Sequence, residues 1–118
     1  MEISGQAVLL RVFVGESDKV GHMPLYEAIV KKAHDTDLAG ATVLKGVLGF
    51  GASARIRTHK ILDLSSDLPL VIEIVDEEPK IVAFQVILSN LFEQAGCGGL
   101  VTLENIRVVH YLPEKGGR

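Results

Sequence analysis

At 118 residues, 47% of them hydrophobic and 23% charged, the chain has the size and composition of one domain with a true core, which excludes disorder. A net charge of −3 argues against nucleic acid as a partner, because that needs a basic surface, though it leaves room for a local basic patch. The single cysteine, Cys97, excludes a disulfide framework and fits a reducing compartment. Met1 to Gln6 is polar, and no apolar run nears the roughly 20 residues of a membrane span, so a soluble cytoplasmic domain is expected.

Ala7 to Val14 reads as a strand, with Val8, Leu10, Val12 and Val14 on one face and Leu9, Arg11 and Phe13 on the other. Gly15-Glu16-Ser17-Asp18-Lys19 and Gly21 break it. A helix is predicted from about Met23, with Pro24 in its first turn, where the missing N–H costs nothing. Its apolar stripe is Leu25, Ala28, Ile29 and Ala33, extended by Thr36, and Gly40 is the expected terminator.

The second strand should run from Ala41 to Leu48, with Thr42, Leu44 and Leu48 on one face and Val43, Lys45 and Val47 on the other. Gly49 to Asp67 then forms a basic loop longer than ordinary connections, carrying Arg55, Arg57, His59 and Lys60, with strand-like residues around Arg55 to Leu62. The third strand is Leu68 to Val75, with Leu70, Ile72 and Ile74 inward. Asp76 is placed to cap a second helix whose first turn holds Glu77, Glu78 and Pro79. Ile81, Phe84, Leu88, Leu91 and Phe92 form its buried stripe. Gly96, Gly98 and Gly99 surround Cys97 in a tight loop. The last strand spans Leu100 to about Tyr111, and a polar tail starts at Pro113.

The order βαββαβ predicts an α+β, ferredoxin-like fold: an antiparallel four-stranded sheet with both helices on one face. One domain covers 1–118, with a mobile loop around 50–67 and the tail 113–118. The helix-free face is expected to carry Leu9, Phe13, Val43, Val47, Val71, Val75, Leu103 and Val109. At about 25 cal/mol per Å², that face is too apolar to leave in water, so self-association is predicted. Its charges, Arg11, Lys45, Glu73 and Arg107, should pair within or across subunits, with Glu73 beside Arg11.

No catalytic signature emerges. Gly49-Phe50-Gly51-Ala52-Ser53-Ala54 imitates a dinucleotide fingerprint, but a poor helix former, Arg55-Ile56-Arg57-Thr58-His59, follows it. His22, His34, His59 and His110 are scattered and lack partners at ligand spacing, so solvated histidines outweigh a metal site. Ser53, Ser65 and Ser66 have no nucleophile elbow. Glu16 with Asp18, and Asp76 with Glu77 and Glu78, read as turn and cap acids before acid–base catalysts. Cys97 reads as a spectator thiol. Two readings stay open for Arg55, Arg57, His59 and Lys60: a hydrated hairpin tip, or a contact for an anion or a partner. Gly96 to Gly99 offers unobstructed N–H groups, the raw material of an anion nest.

Six short motifs occur in order: Gly15-Glu16-Ser17-Asp18, Pro24-Leu25-Tyr26-Glu27, Gly40-Ala41-Thr42-Val43, Gly49-Phe50-Gly51, Asp67-Leu68-Pro69 and Ile72-Glu73-Ile74-Val75-Asp76. Through them nearly the whole chain resembles a PII-like signalling protein, in an uncharacterised branch of the nitrogen-regulatory superfamily. The resemblance implies a trimer whose loop after the second strand docks on a target protein. In PII proper, adenine nucleotides bind between neighbouring subunits and set that loop's conformation. By position, Gly40, Ala41, Thr42, Gly49, Phe50, Gly51, Gly96, Gly98, Gly99 and Arg107 would line such a cleft, with Arg55 assisting from the loop. Arg55, Arg57, His59 and Lys60 would form the partner-binding loop.

The departures matter too. No lysine stands in the loop before the last strand, Val109 replaces a second arginine, Ala52-Ser53-Ala54 replaces Arg-Gln-Lys, and Gly49 to Asp67 contains no modifiable tyrosine. Fewer phosphate partners imply AMP or ADP, or a different small ligand, as effector rather than tightly held ATP, with no required cofactor. The resemblance implies a regulator, with a transporter or channel as the kind of target. The rivals are a small oligomeric ferredoxin-like enzyme of isomerase or oxygenase type, using Glu16, His22 or His110, and a CutA-like metal-tolerance trimer, which would need clustered histidines or cysteines.

Overall fold

The computed structural model describes residues 5–52, 54–58 and 67–114. In chain order the elements are β1 (Gly5–Gly15), β2 (Lys19–Val20), β3 (Met23–Pro24), α1 (Leu25–Asp35), β4 (Ala41–Lys45), β5 (Leu48–Gly49), β6 (Arg57–Thr58), β7 (Pro69–Asp76), α2 (Glu78–Ala95) and β8 (Leu100–Val108). The four long strands make an antiparallel sheet in the order β4-β7-β1-β8, the ferredoxin-like arrangement that the sequence predicts. Strands β2 and β3, and β5 and β6, form two further small hairpins. The latter contains the strand-like residues expected near Arg55.

Period-two alternation decides the sheet's inner face. Val8, Leu10, Val12 and Val14 of β1 and Leu70, Ile72 and Ile74 of β7 are buried against Leu25, Ala28, Ile29 and Ala33 of α1 and Ile81, Phe84, Leu88 and Leu91 of α2. Phe92 packs on this core half-buried. Truncating a member such as Leu10 to alanine costs about 2–5 kcal/mol.

Helix α1 starts at Leu25, two residues later than the expected Met23, with Pro24 at the cap position in extended backbone. It also ends earlier than Gly40. Thr36 is exposed, and its hydroxyl donates to the Lys32 carbonyl. Asp37 takes the left-handed conformation, at φ 67°. The Asp37 N–H then donates to His34 O and the Leu38 N–H to Ala33 O, at 3.1 Å each, which satisfies two terminal carbonyls and folds Leu38 into the core. Asp76 is fully buried and is not the cap residue of α2, which is Glu77. Its carboxylate accepts from the Glu77 N–H at 2.7 Å and from the Ala39 N–H at 2.9 Å. It thereby ties the start of α2 to the α1–β4 connection.

Register corrects the predicted helix-free face, because directly paired residues project to the same side. Val43 pairs with Ile72 and so faces the helices, whereas Leu44 pairs with Val71 on the open side. Leu103 pairs with Leu10, again towards the helices. Lys45 and Arg107 sit opposite Leu70 and Gln6, so neither belongs to the open face. Strand β4 stops at Lys45 because β7 begins with Pro69, which has no N–H to continue the ladder; the Gly46 N–H donates to Pro69 O instead. Val47 therefore leaves the sheet. Strand β8 stops at Val108, short of Tyr111, and Val109 beyond it is exposed. The open face carries Leu9, Phe13, Leu44, Val71, Val75, Leu100 and Ile106, with a charged row across its middle. There Arg11 donates to Glu73 at 3.0 Å, as expected, and to Glu104 at 2.9 Å.

Candidate functional site

Five segments converge at the end of the sheet where β1 finishes and β7 and β8 begin. They enclose a cavity of about 510 Å³, within the ordinary range for small-molecule sites. Phe13, Val71 and Leu100 supply apolar wall from the strands, and Phe50 from the β5–β6 hairpin. Gly51 and Ala52 approach from that hairpin, Gly98 and Gly99 from the α2–β8 loop, and Asp18 from the turn after β1. Arg57, at the start of β6, completes the charged part of the wall.

Close approach explains two of the glycines here. Gly99 sits where a Cβ would come within 2.6 Å of Phe92 Cζ and 3.3 Å of the Phe13 carbonyl oxygen. Gly15 lies directly under the Arg57 guanidinium, which would collide with any side chain there. Helix α2 is closed by Gly96, at φ 67°, so the chain turns sharply into this loop.

A network of charges fastens the hairpin to the sheet. Arg57 Nη1 donates to Asp67 Oδ1 at 2.5 Å. Its Nη2 lies 3.8 Å from Asp18 Oδ1, an ion pair too long for a hydrogen bond. Arg55 pairs with the other oxygen of Asp67. Ser17 donates to Asp67 through its hydroxyl at 2.7 Å and its N–H at 3.3 Å. Asp18 Oδ2 accepts the Gly15 N–H at 2.7 Å. Glu16 accepts the Leu68 N–H at 3.2 Å and pairs with Lys45 at 2.7 Å, which holds that ammonium protonated above its usual range. Burial pushes the Cys97 thiol up, so the cavity meets a neutral sulfhydryl.

Of the residues singled out in the sequence, Phe50, Gly51, Arg57, Cys97, Gly98 and Gly99 meet in this cavity. Gly49 pairs with Arg57 in the hairpin, and Gly96 caps α2. Gly40 and Ala41 line a groove with α1, Thr42 sits opposite Glu73, and Arg107 lies in a groove with Gln6, Glu77 and Glu78. Arg107 is at the other end of the same subunit, since Gln6, which pairs with it, is about 23 Å of strand from Phe13. Ala41 and Thr42 instead sit on the edge strand level with Leu10 and Arg11, outside the cavity wall. Arg55 is exposed and held by Asp67 outside the cavity wall. Arg57, expected at a loop surface, is instead 10% exposed and turned inward. Ser53, His59, Lys60, Ser65 and Ser66 lie outside the described residues.

Sequence reasoning missed Phe13, Asp18 and Leu100 as neighbours, and named Arg57 only within a cluster for an anion or a partner, not as part of this wall. The turn signal Gly15-Glu16-Ser17-Asp18 was the one available hint. The residues named for an enzyme are placed otherwise: Glu16 is engaged by Lys45 and Leu68, while His22 and His110 are exposed. Among the described residues no group of three or more His, Cys, Asp or Glu side chains is gathered to hold a metal ion.

The profile of the DUF190 family, described as Uncharacterized ACR, matches residues 7–108. The chain belongs to this family. A UPF0166 protein of Aquifex aeolicus (strain VF5) is 37% identical over 102 residues, 86% of this chain and 92% of that one. A UPF0166 protein of Methanocaldococcus jannaschii is 32% identical over 103 residues, 87% of this chain and 92% of its own. Among solved structures, CPII from Thiomonas intermedia K12 bound to ADP and bicarbonate superimposes with a TM-score of 0.66 at 16% identity, covering 89% of this chain and 90% of that one. A second structure of CPII, described as a nitrogen regulatory PII-like protein and bound to ADP, AMP and bicarbonate, gives 0.65 at 16% identity with the same coverage. The DUF190 chain thus has the PII-like fold, and its family fits the uncharacterised PII-like branch that the six motifs indicate.

Proposed function

We propose that this DUF190 protein is a PII-like regulator that binds a small anionic effector, an adenine nucleotide of the AMP or ADP type, and signals through the segment after β5 to a partner protein. The observation that carries this reading is the cavity itself. It brings the Gly-Phe-Gly segment and the Cys97–Gly99 loop, far apart in sequence, onto one aromatic-walled space beside a guanidinium. Glycine backbone admits close approach of a phosphate, Phe50 and Phe13 offer faces to a base, and Arg57 offers charge. The ADP- and AMP-bound states of CPII on the same fold support that choice of ligand.

Three copies would assemble through the apolar open face of the sheet. Gly40, Ala41, Thr42 and Arg107 do not line the cavity of their own subunit, so they would join a ligand site across a seam between copies. Arg55, exposed on the hairpin, would face the partner, a transporter or channel in a cytoplasmic setting. The ligand acts by linkage: it changes affinity for the partner by no more than its own differential affinity for the two hairpin states. No helix among the described residues is long and apolar enough to cross a membrane. Calorimetry with AMP, ADP and ATP tests the reading. Binding of AMP or ADP is expected, and no heat with any of the three would refute it.

A further inference from the structure

Arg57 carries an inference that rests on the nucleotide reading and deepens it. Its guanidinium lines the cavity yet is only 10% exposed, pressed over Gly15 and shared between two carboxylates, Asp67 and Asp18, that are themselves 12% and 16% exposed. A guanidinium meets a carboxylate or a phosphate with the same planar fork, so an anion entering the cavity and these two carboxylates want one group. Arg57 and Asp18 are the charged side chains in the cavity wall among the described residues. We propose that Arg57 is the anion-recognising side chain of the cavity, and that a ligand's phosphate binds by displacing Asp67 and Asp18 from it.

The geometry makes the exchange feasible. Asp18 already stands 3.8 Å off, beyond hydrogen-bonding reach, and keeps the Gly15 N–H when Arg57 turns away. Asp67 keeps Arg55 and both donors of Ser17, so the displaced carboxylate is not left buried without a partner. Arg57 is also the residue that pairs with Gly49 in the β5–β6 hairpin, so its release from Asp67 loosens the hairpin's attachment to the β1–β2 turn. The two acids are then built-in competitors that keep affinity low and make binding and attachment alternatives.

This assignment predicts opposite signs for neighbouring residues. Calorimetry on the full chain, with ADP and with inorganic pyrophosphate as probes, should show at least a tenfold loss of affinity in Arg57→Ala. Asp18→Asn, which retains an acceptor for the Gly15 N–H but removes the competing charge, should bind both probes at least fivefold more tightly. Asp67→Asn should act in the same direction, and hydrogen exchange at the β5–β6 amides should quicken when ADP binds the wild-type protein. A purely structural ion pair predicts the reverse, since loss of either acid would leave Arg57 misplaced and binding weakened. If Arg57→Ala fails to fold, Asp18→Asn decides: ADP binding no tighter than wild type overturns the proposal. ADP binding that is equal in wild type, Arg57→Ala and Asp18→Asn overturns the role of Arg57 but leaves the nucleotide reading standing. Absence of binding by wild type and all variants overturns both.

Discussion

Gly99→Ala tests the construction of the cavity floor. A Cβ there would lie 2.6 Å from Phe92 Cζ and 3.3 Å from the Phe13 carbonyl oxygen, against an ordinary carbon–carbon contact of about 3.5–4.0 Å. The Phe92 ring must therefore retreat by about 1 Å into the core it packs on, while the Phe13 carbonyl belongs to the sheet and cannot. Overpacking of this kind costs about 1–3 kcal/mol. Unfolding entropy near 2.1 cal/mol/K per residue makes 1 kcal/mol worth roughly 4 °C here, so Tm should fall by roughly 4–12 °C. Phe92→Leu removes the colliding ring atoms. In that background Gly99→Ala should cost less than about 0.5 kcal/mol, a coupling of about 1–2 kcal/mol in a double-mutant cycle. Thermal and urea melts followed by circular dichroism read all four proteins. Equal costs in the two backgrounds would refute the reasoning, because the penalty would then not reside in the ring contact.

Asp76→Ala strands two part-buried backbone donors, at Ala39 and Glu77, and at about 1–3 kcal/mol each should lower Tm by roughly 8–24 °C; a fall under about 4 °C would contradict the role given to Asp76. Leu9→Asp places a charge in the middle of the open face and should convert an assembled protein into single subunits in sedimentation, whereas an unchanged oligomer would show that this face is not the seam. Cys97 should react with iodoacetamide at pH 8 more slowly than a free peptide thiol, because burial keeps it protonated, and should reach the peptide rate in urea. The sign of the linkage follows: the folded thiol holds its proton to higher pH than the unfolded one, so this stabilisation is complete below the unfolded pKa and is lost as pH rises through the folded value. Equal alkylation rates, folded and unfolded, would contradict it.

Much of the fold was legible because its central strands are long apolar runs bounded by clear breaks, with one charge in the middle of each, Arg11 or Glu73, marking the helix-free side. β1 buries alternate residues, Val8, Leu10, Val12 and Val14, and α1 repeats Leu25, Ala28, Ile29 and Ala33 at helical spacing. The edge strands were misread for the converse reason. Val43 and Leu44 are both apolar, as are Leu103 and Ile106 with Glu104 and Asn105 between them, so periodicity does not say which side faces the helices. Only pairing with Ile72 and Leu10 settles it. The site divides in the same way. Glycine loops announce themselves locally, so Gly51, Gly98 and Gly99 could be named in advance. Asp18 belongs to the turn after β1 and Arg57 to the β5–β6 hairpin, and nothing local marks a turn acid and a loop arginine as an ion pair behind a cavity. The helix stop at Asp37 was hidden by the later Gly40, because aspartate adopts the left-handed conformation without the compositional signal of glycine.

A native mass spectrum of freshly purified protein, recorded before and after addition of ADP, reports subunit number and bound ligand in one measurement. The account predicts three chains that gain up to three ADP masses. A single chain with no adduct at millimolar ADP would contradict it.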